Sequence, residues 1–378
     1  MATFVTYTLD LFDGTNVTGG NKRFKELVWN LAERGDTIHL FIPHNDNFPE
    51  HNSIIRHSLK KQPKTFLPAG LLAFILNYKK LRSIKKINYD KVLLISIPYG
   101  IQGALLGLEN IALILWEDFI KVRKMRYKHR KLKLLKELNI NILTKIEGYA
   151  LKKAAQIISQ CLYDKKEIIQ RHKYLEKEIA DKMSVIPNNV NPSWIEKNEA
   201  LISNKGNEKK SRKFTIYFIG NLYDPKKGVH ILLEAVSMLI EEEYDIRLIV
   251  IGGGKLLANY AQKYSKYKQI EFWGHQENPM QYLVNADLLV VPSLVDSFPN
   301  TIMEGLFLEI PVIGSKCGGI PEMLQEEELL FEPEPDHLFH KIASLLDNNT
   351  YEKYRELCLK RKEALHFDWG EAMRELLL

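Results

Sequence analysis

Two carboxylates, Asp296 and Glu304, stand eight residues apart in PSLVDSFPNTIMEG, residues 292–305. The stretch reads as a turn that follows a buried strand and leads into a helix near Asn300. Both acids can face a ligand docked at that helix start and accept hydrogen bonds from sugar hydroxyls. Phe298, Pro299, Asn300 and Thr301 occupy the start itself, where free backbone amides with the helix dipole behind them bind phosphate. The plainer reading makes Asp296 a turn residue and Glu304 an acid that complements the dipole. A second stretch, IGNLYDPKKGV (219–229), sets Lys226 and Lys227 beside another helix start. Cations there oppose the dipole unless an anion is bound, and a diphosphate is such an anion. Without one, they are a solvated lysine pair in a turn.

Three glycine loops add weaker signals. Gly19 and Gly20, in NVTGGNKRF, lie between a first strand and a helix from Asn21. They allow close approach to a ligand, or merely a turn, and do not complete G-x-G-x-x-G. Gly252-Gly253-Gly254-Lys255 follows a strand but lacks the G-K-[ST] ending of a Walker loop. Gly274-His275-Gln276 offers backbone groups to a base, with His275 capping or stacking, or is an ordinary loop.

The elements that position these residues alternate. Short β-rich apolar runs at 2–8, 37–42, 91–96, 111–116 and 156–160 are separated by helical patterns at 21–34, 100–108, 121–136 and 143–154. The alternation resumes with strands at 214–219, 246–251, 270–272, 287–291 and 311–314 and helices at 228–242 and 300–308. This predicts an α/β chain with parallel sheets covered on both faces. At 378 residues the chain exceeds what one core supports. The polar stretch 192–212 reads as a linker between domains at 1–191 and 213–365.

The composition, 45% hydrophobic and 26% charged, excludes disorder as the main state. Three scattered cysteines, Cys161, Cys317 and Cys358, without a C-x-x-C pair argue against a disulfide framework or zinc ribbon and for a reducing compartment. The N-terminus has no signal-peptide pattern. The longest apolar run, 92–108, is short for a membrane span and interrupted by Pro98. The expectation is a cytoplasmic protein, peripheral at most. The net charge of +6 is concentrated in KVRKMRYKHRKLKLLK, residues 121–136, with nine Lys/Arg and no acid. That run suits an anionic membrane surface or a solvated helix face; binding of nucleic acid is not expected.

Taken together, these residues resemble glycosyltransferase family 4, of the retaining GT-B class. Asp296 and Glu304 fall on the family's E-x7-E pair, with Asp for the first Glu, and Asn221 and Lys227 on the Arg and Lys of its G-R-L…K-G loop. VIPNNVNPSW, IVIGGGK, FWGHQ and PVIGSKCGGIPEML match family stretches in order, and KIEGYALKKAAQIISQ resembles the helix and strand before the interdomain crossing. HFDWGEAMRELL resembles a terminal helix that returns to the first domain, here 366–378.

The resemblance implies two Rossmann-like domains around a deep cleft and transfer of a hexosyl or N-acetylhexosaminyl group from a nucleotide diphosphate, UDP more than GDP. It implies retention of configuration, no metal ion, and a glycan or lipid-linked acceptor of cell-surface polysaccharide or glycolipid assembly. Lys227 would neutralise the diphosphate, with Lys226 and Asn221 beside it. Asp296 would hold the transferred sugar and Glu304 the ribose. The amides of Phe298–Thr301 would cradle phosphate; Gly253, His275 and Gln276 would border the nucleotide, and Gly19 and Gly20 would line the donor from the first domain. Where the family often has a histidine, LWEDF presents Glu117 and Asp118, candidates to contact sugar or acceptor. The alternatives are an epimerase of the same architecture or a catalytically weak nucleotide-sugar-binding subunit.

Overall fold

The computed structural model describes residues 1–9, 19–44, 48–61, 69–127, 133–189, 192–203, 213–223 and 225–378. The chain divides into two units, Met1–Pro187 with Trp369–Leu378, and Asn188–Asp368.

The first unit holds β1 (Thr3–Tyr7), β2 (Thr37–Pro43), β3 (Ile54–Leu59), β4 (Lys91–Ile95), β5 (Ile111–Leu115), β6 (Gln156–Ser159) and β7 (Met183–Val185). Their order is β3-β2-β1-β4-β5-β6-β7, parallel throughout. The second holds β8 (Phe214–Ile219), β9 (Ile246–Ile251), β10 (Ile270–Gly274), β11 (Leu288–Val291), β12 (Val312–Ser315) and β13 (Leu330–Phe331). Their order is β10-β9-β8-β11-β12-β13, also parallel. Strands such as β5 and β11 are buried at every position, as expected when helices cover both faces.

In each sheet the strand order reverses beside the first strand, β1/β4 and β8/β11. Right-handed crossovers then place the helix Gly19–Glu33 on one face of the first sheet and the helices Ala69–Arg82, Ile97–Leu106 and Lys133–Lys153 on the other. The core beneath the latter joins Leu81, Leu106 and Leu151 to Val92, Leu94 and Leu113.

The last helix, Trp369–Leu377, packs on Gly19–Glu33. Arg374 Nε lies 2.6 Å from Asp36 Oδ2, Arg34 Nε lies 2.8 Å from Glu371, and Gln156 Nε2 donates to the Leu376 carbonyl at 2.7 Å. Burial alone would raise the Asp36 pKa, but hydrogen bonds from Arg374 and the Ala2 amide outweigh it and hold the carboxyl below its usual range.

Three expectations are revised. The segment 192–212 is not irregular throughout: Pro192–Ser203 is a helix belonging to the second unit, opened by a proline whose fixed φ suits that place. Ile195, Asn198 and Ile202 share its less exposed face, a stripe hidden by the polar composition; 204–212 lie outside the described residues. The expected helix over 121–136 becomes Phe119–Tyr127 and the start of Lys133–Lys153, with 128–132 outside the described residues. Strands β3, β7 and β13, none of them expected, extend the sheets at their edges, where β7 has three residues and β13 two.

His39 on β2 and His57 on β3 stack, with Nδ1 of one 3.0 Å from Nε2 of the other. Burial lowers both pKa values, and His39 and Lys80 lower that of His57 further. The folded pair therefore holds fewer protons than the unfolded chain. Its contribution to stability is present above about pH 6.5 and is lost as pH falls through the folded pKa values. His57→Gln should flatten the fall in stability below about pH 6.5, read from denaturation midpoints; an unchanged slope refutes this.

Candidate functional site

In open parallel sheets, ligands bind beyond the carboxyl ends of the strands where the order reverses. In the second unit that place lies between the loops after β8 and β11. They touch backbone to backbone: the Leu294 amide donates to the Lys226 carbonyl at 2.7 Å. Gly228 has φ +65°, and a Cβ on it would sit 1.8 Å from the Pro292 carbonyl oxygen. Only glycine meets both conditions. From the other side, the loop after β12 supports the β11 loop. Gly318, at φ +60°, would place a Cβ 1.9 Å from the Asp296 carbonyl oxygen, and the Gly319 amide donates to that oxygen at 3.0 Å.

This framework brings Lys227 and Asp296 together. Lys227 Nζ lies 2.5 Å from Asp296 Oδ2, with side chains 23% and 15% exposed. Ser293 Oγ donates to the same oxygen at 3.3 Å, and Ser315 Oγ donates to the Ser293 carbonyl at 2.5 Å. An ammonium has three donors, so one bond to Asp296 leaves Lys227 able to meet an anion while its side chain stays ordered. The residues after Asp296 then turn into the helix Asn300–Phe307. Pro299 at its cap makes no side-chain hydrogen bond and the first turn has no acid, so the positive end of the helix dipole meets no carboxylate of its own first turn. Phe298 and Pro299 are buried, while Asn300 and Thr301 are half-buried. Asn188, itself buried, reaches this turn, its Nδ2 lying 3.5 Å from both the Phe298 carbonyl and Asn300 Oδ1. Glu304 lies one turn into the helix and is half-buried.

The other candidates in this unit separate into groups. Lys226 is half-buried and Asn221 exposed in the β8 loop. The Gly253 carbonyl accepts from the Leu222 amide at 2.9 Å, which ties the β9 loop to the β8 loop. A Cβ on Gly253 would sit 3.4 Å from that of His275, so these two border one another. His275 is exposed, and Gln276 turns back to donate to the Trp273 carbonyl at 2.9 Å.

In the first unit, Gly19 and Gly20 open the helix after β1; the connection 10–18 lies outside the described residues. Glu117 is exposed after β5. Asp118, a candidate to contact ligand, is a structural residue instead. It is 1% exposed, receives Arg171 Nη1 and Nη2 at 3.0 and 2.8 Å, and accepts from the Lys121 amide at 2.9 Å at the start of Phe119–Tyr127. Arg171 also reaches Glu147 at 2.8 Å, and His172 Nε2 lies 2.8 Å from the same carboxylate oxygen. Burial would lower the Arg171 pKa, but Glu147 and Asp118 outweigh it.

Sequence reasoning missed Asn188, Ser293, Ser315 and Gly318 as supports of the site. The signal for Gly318 was its place in CGGIP, a turn ahead of a helix; the serines carried none. Among the described residues, no three His, Cys, Asp or Glu side chains gather to hold a metal ion.

Comparison with known proteins bears on both units. Residues 213–348, which contain Lys227, Asp296 and Glu304, match the family described as "Glycosyl transferases group 1". Sucrose-phosphate synthase from Thermosynechococcus elongatus superposes on 100% of this chain and 99% of its own, with TM-score 0.75 at 19% identity. Anabaena HepE, solved with UDP and glucose, covers the same shares at TM-score 0.70 and 17% identity. The chain has the GT-B fold. The sequence relatives are partial: an uncharacterized glycosyltransferase of Methanocaldococcus jannaschii is 29% identical over 196 residues, 50% of this chain and 46% of its own. The O-antigen biosynthesis glycosyltransferase WbnH of Escherichia coli is 27% identical over 151 residues, 40% and 42%. The aligned part thus spans less than half the length of either relative.

Two substitutions check the geometry. Gly228→Ala should cost about 2 kcal/mol or more of unfolding free energy, from the clash with Pro292 and the left-handed backbone; a change within about 0.5 kcal/mol refutes the close approach. Asp118→Ala should lower the thermal midpoint markedly, because Arg171 loses one of its two buried carboxylate partners. A wild-type midpoint with lost turnover would return Asp118 to the site.

Proposed function

We propose that this chain is a retaining glycosyltransferase. It moves a hexosyl or N-acetylhexosaminyl group from a nucleoside diphosphate, UDP in preference to GDP, to a glycan or lipid-linked acceptor without a metal ion. The observation that carries the reading is the Lys227–Asp296 pair at the reversal point of the second sheet, close to the start of a helix with no acid in its first turn, inside the segment that matches the transferase family. HepE solved with UDP and glucose supports UDP as the base, and the O-antigen relative supports a glycan acceptor.

In this reading Lys227 and the amides of Phe298–Thr301 hold the diphosphate. As the bond from the anomeric carbon to the β-phosphate oxygen breaks, negative charge grows on that phosphate. Lys227 and the fixed amides stabilise it with little reorganisation. The acceptor hydroxyl forms the new glycosidic bond, and its proton passes to the departing diphosphate. Asp296 holds hydroxyls of the transferred sugar, and Glu304 the ribose. Diphosphate binding draws Lys227 partly from Asp296, freeing carboxylate lone pairs for the sugar, so the two ligand halves are read by one switchable pair. The acceptor reading places the protein on the cytoplasmic side of a membrane, with the basic run 121–136 toward anionic lipid.

The test is a thermal-shift titration with UDP, GDP and their sugars, followed by turnover. UDP at about 100 times its dissociation constant should stabilise the protein by about 2.7 kcal/mol. Lys227→Ala should abolish that shift and reduce transfer by roughly a hundredfold or more, with the fold retained by circular dichroism. Near-native turnover in Lys227→Ala, or a shift with no nucleotide, removes the proposal.

A further inference from the structure

The helices Ala69–Arg82, Ile97–Leu106 and Lys133–Lys153 cover one face of the first sheet, and each packs against the next. A surface helix ordinarily turns polar residues outward. On Ala69–Arg82 the inward side is Ala73, Phe74, Asn77 and Leu81, all buried. Yet Leu71 and Ile75 are each 59% exposed on the outward side, and Leu76 and Tyr78 are exposed with them. Positions 71, 75 and 78 form one helical stripe, which the exposed Arg82 continues. On the second helix Leu105 is 61% exposed. On the third, Leu138, Ile142 and Tyr149 are exposed at helical spacing. Eight of the fifteen exposed large hydrophobic side chains among the described residues lie on these three helices. Scattered exposure is normal for a soluble surface; concentration on one face marks an interaction site.

Charge selects the partner. Residues 69–86 contain no acid and end in exposed Lys79, Lys80, Arg82, Lys85 and Lys86. Ile97–Leu106 is uncharged. Lys133–Lys153 exposes Lys145 and Lys153, and of its two acids Glu147 is buried against Arg171 and only Glu137 is exposed. Apolar side chains framed by cations match a bilayer interface with anionic head groups. A second copy of the chain would set this positive surface against itself, and a nucleic acid offers nothing to bury Leu71 and Ile75. None of these helices, nor any other among the described residues, is long and apolar enough to cross a membrane. Contact would therefore lie in the interfacial plane.

We infer that the outward faces of these three helices insert into an anionic lipid surface, making them, rather than the basic run 121–136 alone, the membrane contact. The inference rests on the transferase reading only for its use, which is to hold the first unit against a bilayer that carries a lipid-linked acceptor.

Flotation with vesicles of phosphatidylcholine alone, or mixed with phosphatidylglycerol, tests it on the full chain. The wild type should float with the mixed vesicles and remain partly bound at high salt, because salt screens charge and not apolar insertion. Leu71→Glu/Ile75→Glu/Leu138→Glu should weaken partitioning by roughly tenfold or more, with thermal midpoint and UDP-induced shift unchanged. Should that variant fold poorly, hydrogen exchange of the wild type with and without vesicles gives the answer: 69–82, 97–106 and 133–153 should be protected. Equal flotation of wild type and variant, protection elsewhere, or a dimer that the same substitutions dissociate overturns the inference. A wild type that floats but shows no UDP shift counts against the transferase reading alone.

Discussion

The second unit is organised around one contact between opposite charges, Lys227 against Asp296. The two residues are brought together by strands β8 and β11, neighbours in the sheet and far apart in sequence. Their side chains are mostly withdrawn from water, where an unpaired charge is costly, so each holds the other in place. The backbone beneath is equally constrained, because Gly228 and Gly318 let three loops approach at distances no other residue permits. An ordered ammonium beside a helix N-terminus is then set to meet an anion without further ordering, which is the condition for electrostatic stabilisation of a developing charge.

The first unit repeats the topology with different chemistry at its edges. Where the second unit pairs Lys227 with Asp296, the first locks Asp118 and Glu147 onto Arg171. Asp118 also holds the start of the next helix through the Lys121 amide, leaving Glu117 at the surface. The unit's distinctive surface lies elsewhere, on the apolar helix face that ends in lysines. One fold thus carries a half-buried ion pair at its strand ends in one half and an exposed apolar helix face in the other, the kind of difference in loops and surfaces that a shared sheet leaves open.

Most of the fold was legible in the chain. Runs such as IALIL and LLVV read as doubly buried strands because nothing polar interrupts them. Gly-Asn-Leu and Pro-Asn-Thr read as the turns that open helices. The short β7 and β13 were not legible: two or three residues carry no periodicity, and only pairing with β6 and β12 makes them strands. The helix Pro192–Ser203 was hidden by its charges. Ala69–Arg82 was hidden by the opposite cause, apolar residues on both faces and hence no helical stripe to find.

Residue type and order alone therefore determined the parallel α/β architecture, the loops at strand ends and the identity of Lys227, Asp296 and Glu304 as candidates. The architecture and the loops follow from local propensity and hydrophobic period, which act over a few residues; the three candidates follow from their place in those loops together with the family resemblance. Tertiary structure alone decided that Lys227 meets Asp296, that Asp118 serves Arg171, and that Leu71, Leu105 and Leu138 share an outer layer. Such partnerships depend on which strands become neighbours. Strand order comes from crossovers that bring residues separated by dozens of positions together, and no short stretch of sequence records that distance.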